Sequence, residues 1–213
     1  MRSDWMLLVA LGLSACATEE PASRVEHLPY FDSKEFTPHW YAPDEVPRDF
    51  HRVSAFSLTN QHDRVITEAD LAGKVTVVDY FFTTCSGICP MLTKNMAVVD
   101  AAFPADEDLL LLSHSATPEK DTVEVLQTYA EAKGVGSERW HLLTGDRALL
   151  YHLGREVYFV EEDMGEDKDA DDFLHTENMV LVDREGHIRG VYNGLNTASI
   201  QQLTVDVQTL LDE

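Results

Sequence analysis

Between residues 75 and 99 an apolar strand, a thiol-bearing turn and a helix follow one another without interruption, and this unit frames the rest of the chain. Val75 to Phe82 is apolar enough to be buried on both faces, as a central strand would be. Thr83-Thr84 breaks the run, and Cys85-Ser-Gly-Ile-Cys89-Pro90 follows. Pro90 suits the first helical position, where its missing N–H costs nothing. Met91, Leu92, Asn95, Met96 and Val99 then recur with helical period. The two thiols therefore stand at a strand-to-helix turn, near a helix N-terminus whose partial positive charge favours thiolate. Thiolates exchange with disulfides and also bind soft metals such as Cu(I). A lone C-x3-C spacing does not choose between those two chemistries.

The flanking pattern extends this unit into one α/β domain. Val53 to Leu58 alternates apolar and polar residues, Asn60-Gln-His-Asp63 is turn chemistry, and Val65-Ile66 reads as a short return strand, so a hairpin is expected. Thr67 to Gly73 reads as a brief helical turn closed by glycine. Strands are expected at Leu109–Leu112, Trp140–Leu143, Val157–Val160 and Asn178–Asp183. Thr117 and Pro118 read as N-cap and first position of a helix running to Lys133 and stopped by Gly134. Asp146 to Leu153 reads as a further helix, Arg184 to His187 as a turn into a strand over Ile188–Tyr192, and Ile200, Leu203, Val207, Leu210 and Leu211 as the stripe of a terminal helix. This alternation fits a thioredoxin-like three-layer α/β sandwich with an N-terminal hairpin, the domain occupying residues 52–213.

Residues 1–16 are read separately. One Arg, an apolar run from Trp5 to Leu13 and small residues leading into Cys16 fit a secretory signal, and the run is too short to span a bilayer as a mature helix. The ending Leu13-Ser-Ala-Cys16 resembles the bacterial lipobox, which implies lipidation of Cys16 and a periplasm-facing, membrane-tethered protein of the bacterial cell envelope. Residues 17–51 contain Pro21, Pro29, Pro38, Pro43 and Pro47 among charged and aromatic residues, and read as a tether with little regular structure. With Cys16 so used, Cys85 and Cys89 are the remaining thiols, in an oxidising compartment. A formal charge of −22 disfavours nucleic acid and anionic surfaces, and the chain has no basic patch or glycine-rich phosphate loop, which argues against nucleotide binding.

Cys85-Ser-Gly-Ile-Cys89-Pro90, with a histidine far downstream in Phe173-Leu-His-Thr-Glu-Asn-Met179, resembles the Sco/SenC family. Phe56-Ser-Leu-Thr-Asn-Gln61, Leu71-Ala-Gly-Lys-Val75, Pro118-Glu-Lys-Asp-Thr122 and Trp140-His-Leu-Leu-Thr-Gly145 agree with it, so the likeness runs from about Arg52 to the C-terminus. The resemblance implies a metallochaperone that helps mature the dinuclear copper centre of cytochrome c oxidase, its partner being the copper-bearing subunit. It implies Cys85, Cys89 and His175 as ligands of a copper ion, Cu(I) or Cu(II), a soft low-coordinate set suited to that metal. The alternative is a tethered thiol–disulfide oxidoreductase in which Cys85 attacks and Cys89 resolves. Two departures stand out: many members carry an aspartate at the position of Thr117 and another at that of Leu174, and both are absent here.

Other residues receive structural expectations. His114, at the end of a strand, is the additional histidine to place against the thiols. Met91 and Met96 fit core packing better than thioether ligation. Asp79, inside the central strand, calls for a polar partner. The acidic stretch Glu161–Asp172, with one lysine, reads as a solvated loop that would also make the rim of the site negative.

Overall fold

The hairpin comes first in the sheet. β1 (Ser57–Asn60) pairs antiparallel with β2 (Val65–Thr67), and Thr67 opens a short 3-10 turn through a reciprocal capping box with Asp70. β3 (Val75–Phe81), β4 (Leu109–Ser115) and β5 (Trp140–Thr144) are parallel and fully buried, as their predominantly apolar sequences favour. β6 (Asn178–Val182) and β7 (Ile188–Asn193) form an antiparallel hairpin beyond β3. The seven-stranded sheet has the order β2-β1-β5-β4-β3-β6-β7. The computed structural model describes residues 25, 27–104, 106–161, 174 and 176–213.

Helices cover both faces, giving three layers. α1 (Cys89–Ala102), α2 (Val123–Lys133) and α4 (Thr197–Asp212) bury Leu92, Met96, Leu126, Leu203 and Val207 against one face of the sheet. α3 (Arg147–His152) and the segment after it cover the other face with Leu150, Tyr151, Leu153 and Tyr158. Because Cβ atoms alternate along a strand, Val77 and Phe81 of β3 belong to the first core, Val78 and Tyr80 to the second. No helix among the described residues is long and apolar enough to cross a membrane.

Two expectations are corrected. Val157–Val160 is not a strand: α3 loosens into a π turn over Leu153–Val157, and the N–H groups of Tyr158 and Val160 return to the carbonyls of Leu153 and Gly154, both at 2.8 Å. The run is apolar because it is buried, and its donors are satisfied locally rather than across a sheet. Thr117 is not a helix N-cap either. Residues 117–121 form a turn, and α2 starts after Thr122, whose Oγ1 accepts from Val125 N.

The described part of the segment before residue 52 packs on the domain. Leu28 and Tyr30 are buried, Tyr30 bridges His39, and Phe31 bridges Ile188 at the start of β7. Arg189 holds this segment: it donates to the carbonyls of Leu28 and Pro29, lies 4.0 Å from the Tyr30 ring centroid, and pairs with Asp183 at 3.1 Å. A guanidinium that buried needs such a full set of partners.

Candidate metal centre

β3 delivers the chain to the site and α1 receives it. After Phe81 a turn closes with Cys85 N donating to Phe82 O at 3.2 Å, and the helix begins at Cys89 with Pro90 in its first turn. Ile88, at the N-cap position, offers no capping side chain; Cys85 Sγ instead accepts from Cys89 N at 3.4 Å. The sulfur thus does what a serine or aspartate side chain does at other helix starts. Farther along the first turn, Thr93 Oγ1 donates to Cys89 O and lies 2.8 Å from the Tyr129 hydroxyl, which fixes the helix end against α2.

The two thiols differ in environment. Cys85 is partly exposed and Cys89 is buried, both as free thiols. Burial is the largest influence on Cys85 and raises it, yet hydrogen bonds from the Cys89 thiol and from the N–H groups of Cys89, Gly87 and Ile88 together bring it below the ordinary cysteine value. For Cys89, burial comes first and its bond to Cys85 adds to it, and the thiol is pushed up to about 12. One sulfur is therefore poised to ionise while its neighbour holds a proton.

A cleft of about 260 Å³ opens beside the sulfurs, lined mainly by Tyr80, Phe82, Ile88, Cys85, Leu174 and Thr176. Leu174 is fully buried in it, and Thr176 is tied down by donating to Val160 O at 2.6 Å. Two other sequence-singled features, His175 and Cys16, lie outside the described residues, as does the acidic stretch beyond Glu161. Among the described residues no third cysteine, histidine or carboxylate joins the pair in a metal-ready group.

His114 is fully buried on the face opposite Cys89, stacked on Tyr80 at 5.0 Å between centroids and packed near Tyr158, with neither ring nitrogen hydrogen-bonded. Burial lowers it to about 3, against weaker opposition from the carbonyls of Asp79 and Leu112, so it is a neutral core residue. Asp79 faces the Cys89 side; its partner is the Ser113 hydroxyl opposite it in the β3/β4 register, and burial outweighs that bond to raise the carboxyl to about 7. Ser113 in turn accepts from Trp140 Nε1 at 3.0 Å. Met96 is a core residue as expected, but Met91 is 53% exposed at the start of α1, a correction that follows from its position on the outer side of the helix.

Sequence reasoning missed Asp121. This carboxylate is wholly buried and accepts from Thr83 Oγ1 and Ser115 Oγ, each at 2.5 Å, from Thr117 Oγ1 at 3.0 Å and from Thr83 N at 3.3 Å. Thr117 contributes a hydroxyl donor here; an aspartate in its place would bring a second carboxylate to a buried cluster that has no cation among these partners. Only the Pro118-Glu-Lys-Asp121 run marked the region in sequence.

Comparison with known proteins agrees with this fold. The SCO1/SenC family model matches residues 45–212. The SCO1 protein homolog of Bacillus subtilis is 26% identical over 75% of this chain and 82% of its own length. Among solved structures, BsSco, described as a member of the Sco family of cytochrome c oxidase assembly proteins in which a disulfide switch was identified, superposes with a TM-score of 0.63 at 24% identity over 78% of this chain and 96% of its own. ScoI of Bradyrhizobium japonicum, solved with copper bound, gives 0.59 at 24% identity over 75% and 99%. These likenesses carry the thioredoxin-like fold.

Proposed function

The chain belongs to the SCO1/SenC family, and from that premise we propose that it is a copper carrier of the bacterial cell envelope that assists cytochrome c oxidase assembly, with Cys85, Cys89 and His175 as its ligands and Cys16 as its lipid anchor. The observation that carries the reading is the lining of the cleft: Leu174 and Thr176, the residues on either side of His175, stand in the same wall as the two sulfurs. Two thiolates and an imidazole suit Cu(I), which is the cargo of this reaction. Cys85 supplies the first sulfur readily because its thiol lies below the ordinary value. Cys89 surrenders its proton when the cation binds, so loading releases acid and tightens as pH rises. The cleft's outer side stays open to a client's thiolate or imidazole, which permits transfer by stepwise ligand exchange.

The asymmetry of the thiols supports a second role in the same site. An accessible, readily ionised Cys85 beside a buried, protonated Cys89 has the arrangement of an attacking and a resolving thiol in disulfide exchange. An anaerobic Cu(I) titration of the reduced protein against a competing chelator, beside His175→Ala, separates the two. One tightly held equivalent, greatly weakened in the variant, supports the carrier; absence of tight binding with reversible Cys85–Cys89 oxidation supports the oxidoreductase.

A further inference from the structure

We propose that Asp121 is the positioning residue of the cysteine turn: its buried carboxylate clamps Thr83 to the end of β4 and so holds Cys85 over the start of α1.

Between Phe81 and Cys89 the chain leaves the sheet, and its own backbone closes the turn through Cys85 N donating to Phe82 O at 3.2 Å. Thr83, an inner residue of that turn, directs both its N–H and its hydroxyl away from the turn to Asp121, thirty-eight residues later. Asp121 is in turn held from the other side by Ser115 Oγ and Thr117 Oγ1, while Thr117 N donates to Ser115 Oγ and Asp121 N to Thr117 O, at 3.0 and 2.9 Å. Ser115 lies directly opposite Phe81 in the β3/β4 register, and Ala116 N donates to Phe81 O at 2.8 Å. The clamp thus extends the parallel β3/β4 pairing by one side-chain rung past the point where backbone pairing ends.

A buried carboxylate is costly unless fully hydrogen-bonded, and four donors satisfy this one. Such bonds to a charged acceptor are stronger than neutral ones, so the rung is stiff where a turn would otherwise move. Stiffness matters because Cys85 Sγ collects the N–H groups of Gly87, Ile88 and Cys89, a convergence that depends on where the turn delivers the sulfur. The contacts of Asp121 with the turn are to the N–H and hydroxyl of Thr83, so its influence on Cys85 passes through Thr83 and the backbone. In short, the turn that carries the thiol is fixed from outside by a side chain on the α2 approach.

The inference rests on Cys85 and Cys89 being the working thiols, and its test is read independently of copper. Amide hydrogen exchange is measured by NMR on the reduced protein for the parent, Asp121→Asn, Thr83→Val and, as control, Tyr192→Phe. The control removes a buried hydroxyl on β7 that donates to Asp206 of α4 at 2.8 Å, two elements outside the turn. Exchange of the Cys85, Gly87, Ile88 and Cys89 amides is expected to rise about tenfold or more in Asp121→Asn and Thr83→Val, with β5 and α4 unchanged, and to stay at the parent rate in Tyr192→Phe. Unchanged exchange at those amides in Thr83→Val, or an equal rise in the control, overturns the proposal. Cu(I) affinity on the same four proteins is expected to drop about tenfold in the first two variants only, about 1.4 kcal/mol. A parent that binds no Cu(I) would refute the carrier reading while leaving the exchange result to decide the clamp.

Discussion

Asp79→Asn should stabilise the reduced protein, and by more as pH rises. Asp79 is 1% exposed, with Oδ1 unpaired and Ser113 as its hydrogen-bond partner, and its carboxyl is raised from 3.8 to about 7 by burial. A carboxyl raised on folding favours the folded state fully only below its unfolded value; as pH climbs from 3.8 toward 7 the unfolded chain ionises first, and stability is lost. A shift of that size corresponds to about 4 kcal/mol at alkaline pH. By about pH 5 some 1.6 kcal/mol of this (roughly) is already felt, so the gain of Asp79→Asn over the parent should grow by about 2.5 kcal/mol between about pH 5 and about pH 8. Asparagine is the suitable probe because it retains the shape and never ionises. Urea denaturation of both reduced proteins at the two pH values measures it. Buried His114 and His141 titrate in the opposite sense but occur in both proteins, so they cancel in the difference. A stability difference that does not change with pH would refute the reasoning.

Three further outcomes are expected. His114 is lowered from 6.5 to about 3, so its contribution is complete above 6.5 and lost as pH falls toward 3; His114→Phe should flatten that acid limb in a denaturation series by several kcal/mol, on the order of 4. Gly154→Ala would place a Cβ 2.6 Å from Leu174 Cδ1 and 3.1 Å from the Tyr80 ring, so it should cost about 1–3 kcal/mol of stability and, by pushing Leu174 out of the cleft wall, weaken Cu(I) binding in chelator competition. Iodoacetamide at about neutral pH should modify Cys85 well before Cys89, read by peptide mass mapping of the quenched protein, because the first is partly exposed and lowered while the second is buried and raised.

Much of the architecture was legible because it is written in periodicity. The fully buried β3, β4 and β5 are predominantly apolar runs, and the α4 stripe of Ile200, Leu203, Val207 and Leu210 faces the core as its spacing requires. Where local pattern and tertiary use diverge, the reading failed. Val157–Val160 has the composition of a buried strand, but composition reports burial and not the partner of the N–H groups, which here return to Leu153 and Gly154. Thr117-Pro118 has the pattern of a helix start, yet Thr117 spends its hydroxyl on Asp121 and the helix waits for Thr122. The thiol pair was visible as a motif at a strand-to-helix turn. What sets its geometry was not, since the Thr83–Asp121 contact spans thirty-eight residues and no periodicity encodes it.

The central claim concerns the ligands, and X-ray absorption at the copper edge of the Cu(I)-loaded protein addresses it most directly. Two sulfur scatterers and one imidazole nitrogen, with the imidazole signal absent in His175→Ala, is the predicted result. A spectrum of sulfur ligands alone, unchanged in the variant, would contradict the assignment of Cys85, Cys89 and His175 as the copper site.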